Sequence, residues 1–115
     1  MIGDLLAPGM ARLFTKAYCR SHVVDESRTE TAVLLISELV TNAAVHGRGE
    51  VGLALSGGSD GPLHVEVGDD AEAGCAVREF SMDSEDGRGL AIVASCALRW
   101  GVRHEPVGKT VWFEL

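Results

Sequence analysis

Apolar and polar positions change rhythm along the chain, and each change predicts an element. Met10, Leu13, Phe14, Ala17 and Tyr18 recur at helical spacing. Pro8 suits a first helical turn, where its missing N–H costs nothing, so a first helix is expected from about Pro8 to Ser21. Its apolar stripe reads as core or as a dimer face. Asp25 is a good N-cap for a second, longer helix. That helix carries Ala32, Val33, Leu35, Ile36, Leu39, Val40, Ala43 and Ala44, and ends at Gly47, where a left-handed cap is expected. From Glu50 the rhythm becomes strict alternation, with Val51, Leu53 and Leu55 on one side. The run Gly57 to Pro62 is a turn signal, and Leu63, Val65 and Val67 alternate again, so the two strands form an antiparallel hairpin. Ala71 to Asp86 is polar and aperiodic, a loop of the length that often acts as a lid. Leu90 to Ala97 predicts a third, apolar helix. Leu98 to His104 reads as a strand with Trp100 and Val102 on one face, and Glu105 to Lys109 as a turn. Thr110 to Leu115 is a last strand, with Val111, Phe113 and Leu115 alternating against Trp112 and Glu114. The aromatics of these two strands are expected in the core. Met1 to Ala7 is a frayed end or an edge strand. The expected fold is α+β, a two-layer α/β sandwich in which helices cover one face of a mainly antiparallel, mixed sheet.

Length and composition narrow the picture. The 115 residues make one domain, spanning 1–115 and large enough for a real core. No apolar run approaches the ~20 residues that span a bilayer, and the first residues lack the basic start of a signal peptide. A cytoplasmic protein with no membrane partner is expected. Cys19, Cys75 and Cys96 are odd in number and widely spaced, which indicates neither a zinc site nor a disulfide framework. The net charge of −7 argues against direct nucleic-acid binding. It fits a basic protein partner, or serves solubility alone.

The candidate chemistry lies in Ser37 to Gly47. Glu38, Asn42 and His46 stand four residues apart and so share one helix face, while Leu39, Val40, Ala43 and Ala44 pack inward. A carboxylate can orient or deprotonate an attacking hydroxyl or water. An amide oxygen is a hard, neutral donor suited to magnesium. An imidazole can donate to a phosphate or cap the helix end. The plainer reading is an amphipathic helix with three polar residues at its solvent border. Asp69, at the end of the second hairpin strand, is either a solvated turn residue or an acceptor for a purine amino group. The glycines of Gly87-Arg88-Gly89-Leu90 precede a helix and let backbone N–H groups approach an anion, though glycines before helices are common in ordinary turns.

In this order the pieces resemble the GHKL superfamily of ATP-binding domains, and within it the small bacterial branch of anti-sigma-factor serine/threonine kinases. Ser-Glu-Leu-Val-Thr-Asn-Ala-Ala-Val-His-Gly is similar to that branch's N box. Gly-Arg-Gly-Leu-Ala-Ile-Val, Arg-Trp-Gly and Gly-Lys-Thr-Val-Trp-Phe-Glu-Leu are similar to its closing segments. The resemblance implies the Bergerat ATP-binding fold, with ATP and Mg2+ between the helical layer and a mobile lid. It makes Glu38 the catalytic base, Asn42 the magnesium ligand and Asp69 the acceptor of the adenine amino group. It sets Gly87, Arg88, Gly89 and Leu90 at the triphosphate and Thr110 near the adenine, and includes His46 in the N box. The implied partners are a sigma factor and an anti-sigma-factor antagonist protein phosphorylated on Ser or Thr, with the kinase a homodimer. Two features depart from the pattern. Ala71 and Ala73 stand where the adenine motif has glycines, and only Met1 to Ala7 remain for a first strand.

Three functions compete on these grounds. Retention of Glu38 favours a kinase that also switches partners. The missing glycines favour a non-catalytic protein-binding regulator with a degenerate nucleotide site. A histidine-kinase catalytic part is disfavoured, because none of the four histidines has a phospho-acceptor context.

Overall fold

A computed structural model describes residues 2–3, 8–46, 51–69, 85–106 and 108–115 of the chain. The elements are β1 (Ile2–Gly3), α1 (Pro8–Ser21), α2 (Glu26–His46), β2 (Val51–Gly57), β3 (Leu63–Asp69), α3 (Glu85–Cys96), β4 (Arg99–His104) and β5 (Lys109–Glu114). The strands form one five-stranded sheet in the order β1-β2-β3-β5-β4, and each of its four pairings is antiparallel. The expected layering holds. The expected mixed character does not, since no parallel pair occurs among the described strands. The helices lie over one face: α1 against β2, α2 against β2 and β3, and α3 against β4. α2 packs on both α1 and α3 and forms the middle of the helical layer.

Local chemistry explains the boundaries. Asp25 caps α2 as expected, its Oδ2 accepting from the Arg28 N–H at 3.1 Å. α1 ends with Val24 N–H on the Cys19 carbonyl (2.9 Å) and Val23 N–H on the Arg20 carbonyl (3.4 Å). This is a Schellman cap, with Val23 at φ 54° in the left-handed position that glycine usually takes. The β2–β3 turn needs Gly57, whose φ is 71° and where a Cβ would stand 2.5 Å from the Pro62 carbonyl oxygen. Arg28 ties this turn to α2, donating to the Gly58 carbonyl at 2.6 Å and the Gly61 carbonyl at 2.9 Å while its Nε pairs with Asp25. The end of the sheet closes where Leu63 and Leu115 exchange backbone hydrogen bonds, each 2.9 Å.

The core lies between the layers. Leu35, Ile36, Leu39 and Val40 of α2 meet Leu53, Leu55, Val65 and Val67 of the hairpin, Val93 of α3 and Phe113 of β5. Burial of side chains of this size contributes roughly 1.5–3 kcal/mol each. Of the two readings of the α1 stripe, core does not hold for Met10 and Leu13, which leaves the dimer face; and of the aromatics on β4 and β5 only Phe113 is enclosed. On α1 the buried residues are Ala11, Thr15, Tyr18 and Cys19, while Met10 and Leu13 face solvent. The reason is that α1 rotates Tyr18 inward, where its hydroxyl donates to the Gly57 carbonyl at 2.8 Å. On the sheet, Phe113 is core but Trp100 and Trp112 are not fully enclosed. Of the cysteines, Cys19 is buried and Cys96 exposed, and Cys75 lies outside the described residues.

The face of the sheet turned from the helices carries an ionic ladder across β3, β5 and β4. His64 Nδ1 reaches Glu114 Oε2 at 2.9 Å and its Nε2 reaches Glu66 Oε2 at 2.8 Å. Arg99 donates to Glu114 Oε1, and Arg103 donates to Glu66 Oε1 (2.6 Å) and Glu105 Oε1 (2.8 Å). Trp112 stacks on His64, ring centres 5.8 Å apart. Gly101 leaves room for that indole, since a Cβ there would stand 2.7 Å from Trp112 Nε1. Only the imidazolium can donate to both carboxylates. Burial alone pushes the His64 pKa down, but its hydrogen bonds and attraction to Glu66 and Glu114 outweigh burial and raise it. Glu66 is held low chiefly by Arg103 and then His64, and Glu114 by His64 and then Arg99.

A histidine with a raised folded pKa stabilises fully below its unfolded value of about 6.5 and stops doing so as pH rises through the folded value. The two glutamates act the opposite way and lose their contribution in acid. The thermal-stability advantage of the wild type over His64→Gln is therefore expected to be greatest near pH 6 and to shrink as pH rises above about 6.5. Unfolding followed from pH 5 to 9 checks this; an advantage constant across that range would show that protonation of His64 does not hold the ladder.

Candidate functional site

Glu38 and Asn42 sit one turn apart on α2, both half-buried, next to the buried Leu39 and Val40. The opposite edge of the same apolar arc carries Ser37, whose hydroxyl accepts from Arg12 of α1 at 3.4 Å. With α1 on the Ser37 edge and α2 in the middle of the layer, the Glu38–Asn42 edge is the one toward α3. A carboxylate and an amide are thus set side by side where two helices adjoin. His46 is the last residue of α2, and its side chain lies outside the described structure. Gly47 also lies outside the described residues.

β3 runs beneath α2 and ends at Asp69, the next position of the alternate row Leu63, Val65, Val67. The register sets Asp69 opposite Lys109 and Gly68 opposite Thr110. Strand residues alternate between faces, so the row to which Lys109 belongs is that of Val111 and Phe113, toward the helices. Thr110 belongs to the other row. It is 9% exposed and lies close to Gly68 on the face turned from the helices, where a Cβ on Gly68 would stand 3.1 Å from its hydroxyl oxygen. The expectation that Thr110 approaches a nucleotide held on the helical side is therefore corrected. Thr110 packs against the backbone of β3, and the residue of β5 on the helix-side row is Lys109. Sequence reading passed over Lys109 because it was assigned to the turn. The alternation Val111, Phe113, Leu115, extended one step back, contains the signal that places it.

The third expected segment also shifts. α3 begins at Glu85, five positions before Leu90, so Gly87, Arg88 and Gly89 lie within the helix rather than ahead of it. Leu90 is 3% exposed and belongs to the core; its side chain packs, and as the sixth residue of α3 it lies beyond the first turn, whose N–H groups are the ones left for an anion. The side chains of Arg88 and Asp69 lie outside the described structure. So do Ala71 and Ala73 and the body of the expected lid, whose last residues, Glu85 and Asp86, belong to α3.

The donor set fits a magnesium nucleotide. Asn42 supplies one hard, neutral oxygen donor beside the Glu38 carboxylate, which suits an ion held mainly by phosphates and water. No described helix is long and apolar enough to cross a membrane.

A family model described as a histidine kinase-like ATPase domain matches residues 5–115. The chain belongs to that family, a GHKL-type family of ATP-binding domains, and its antiparallel sheet with helices on one side is consistent with that fold. No curated protein matches the chain significantly.

Proposed function

We propose that the protein is an ATP-dependent serine/threonine kinase of the anti-sigma-factor type. It works in the cytoplasm as a homodimer, holds a sigma factor in one state, and in the other phosphorylates an antagonist protein. The observation that supports catalysis is the Glu38–Asn42 pair, half-buried side by side on the α3 edge of α2. Glu38 orients the acceptor hydroxyl and takes its proton. The hydroxyl oxygen forms a bond to the γ-phosphorus, the bond from that phosphorus to the β–γ bridging oxygen breaks, and ADP leaves. Asn42 holds the metal, and Asp69 accepts from the adenine amino group. The segment Gly87-Arg88-Gly89-Leu90 lies at the phosphates, and the N–H groups free to donate there are those of the first turn of α3, Gly87 among them. Magnesium, when bound, neutralises charge on the β- and γ-phosphates.

A second reading is a non-catalytic regulator with a degenerate site. The register that sets Lys109 opposite Asp69 favours it, because a cation at that position competes with an adenine amino group for a carboxylate. Calorimetric titration with ATP, with and without magnesium, separates the two. Saturable, magnesium-dependent binding is expected; absence of binding at millimolar ATP would leave the non-catalytic reading.

A further inference from the structure

The outer side of α1 has two parallel strips that neither the core nor the nucleotide site uses. Arg12, Lys16 and Arg20 follow one another at four-residue spacing, and the helix contains no acidic residue. At about 100° per residue, Leu13, Ala17 and Met10 form the adjoining strip. Leu13 is 70% and Met10 58% exposed. All three cations are exposed, and none is in an ion pair among the described residues. Arg12 has its hydrogen bond to Ser37, and Glu30 of the neighbouring α2 pairs with none of them. Elsewhere Arg28, Arg99 and Arg103 are each bound to a carboxylate. In a chain of net charge −7, one helix thus presents uncompensated positive charge beside exposed aliphatic surface.

We infer that this face of α1 docks an acidic amphipathic helix of another protein. Such a helix carries a row of Asp or Glu at three- and four-residue spacing beside a row of Leu, Ile or Met, and it matches the two strips in charge and polarity. Two other occupants fit less well. A second copy packed α1 against α1 would bring like-charged strips together. A membrane surface is disfavoured because the apolar strip has no aromatic anchor and the opposite side of α1, with Tyr18 and Cys19, is committed to the core. The inference does not rest on the nucleotide-site reading.

The test uses a fluorescent synthetic helix with Glu at i, i+4 and i+8 beside a leucine row, and the same helix with Lys for Glu. Anisotropy titration of the intact protein is expected to give saturable micromolar binding of the Glu helix that weakens with added salt. The triple variant Arg12→Glu, Lys16→Glu, Arg20→Glu is expected to weaken that binding at least about tenfold and to bind the Lys helix instead. Leu13→Asp tests the apolar strip separately and is expected to weaken the Glu helix about tenfold. These positions are exposed, and circular dichroism with ATP titration of the same preparations distinguishes lost docking from lost folding or a lost nucleotide site. The inference is overturned by any of four results: no saturable binding at millimolar peptide, binding indifferent to the charge reversal, flotation of the protein with anionic vesicles, or self-association that Leu13→Asp abolishes.

Discussion

Asn42→Ala is expected to weaken magnesium-dependent ATP binding by about 10–100-fold, while Glu38→Gln keeps ATP affinity and loses phosphoryl transfer by about 10²–10⁴-fold. The two residues are one helical turn apart and both half-buried, so a general disturbance of α2 would affect both measurements in both variants. Separate effects are what distinct chemistry predicts. An amide at position 42 offers a hard oxygen that alanine removes. Glutamine at position 38 keeps the shape of glutamate and can still hydrogen-bond an acceptor hydroxyl, but it is not a base at neutral pH. Calorimetry gives the first effect, and phosphorylation of an antagonist peptide gives the second. If Glu38→Gln transfers phosphate at the wild-type rate, the base lies elsewhere.

Arg28→Ala is expected to cost about 2–3 kcal/mol of stability, because a charged donor serving several acceptors is lost at once. The guanidinium joins the start of α2, the β2–β3 turn and the final strand, reaching Asp25, the Gly58 and Gly61 carbonyls and, at 3.4 Å, the Leu115 carbonyl. In a domain of this size that is a fall in melting temperature of roughly 10 °C. Arg28→Lys is expected to recover little, because an ammonium lacks the planar fork that reaches several carbonyls together. Denaturant unfolding of the three proteins checks this. A loss below about 0.5 kcal/mol for Arg28→Ala would place the anchoring of the turn in its glycines alone.

The elements were legible where local chemistry and periodicity agreed. Pro8 and Asp25 marked both helix starts, and the alternation from Val51 to Val67 gave the hairpin with its turn. Glu38 and Asn42 were legible as a pair because their spacing and the apolar residues between them are properties of one helix. What escaped depends on contacts distant in sequence. Gly87 and Gly89 each disfavour helix by about 1 kcal/mol, so the start of α3 was set at Leu90; in the folded chain the helix begins at Glu85, with acidic residues at its positive end. The facing of α1 is decided by Tyr18 reaching Gly57, a partner no local pattern reveals. The ladder around His64 needs three strands in register, and Arg28 gave no signal because its acceptors are backbone carbonyls.

The alternation along β5 makes the length of the turn before it an address. One residue added to or removed from positions 105–108 that the turn does not absorb slides β5 by one position on β3 and β4, sending Lys109 to the face of Thr110 and Thr110 to the face of Lys109, while Val111 and Phe113 leave the core. A two-residue change preserves every facing. Divergence of this hairpin is thus constrained by the parity of its length more than by the identity of its turn residues. Related chains are expected to tolerate even insertions there and to lack odd ones unless a bulge restores the count.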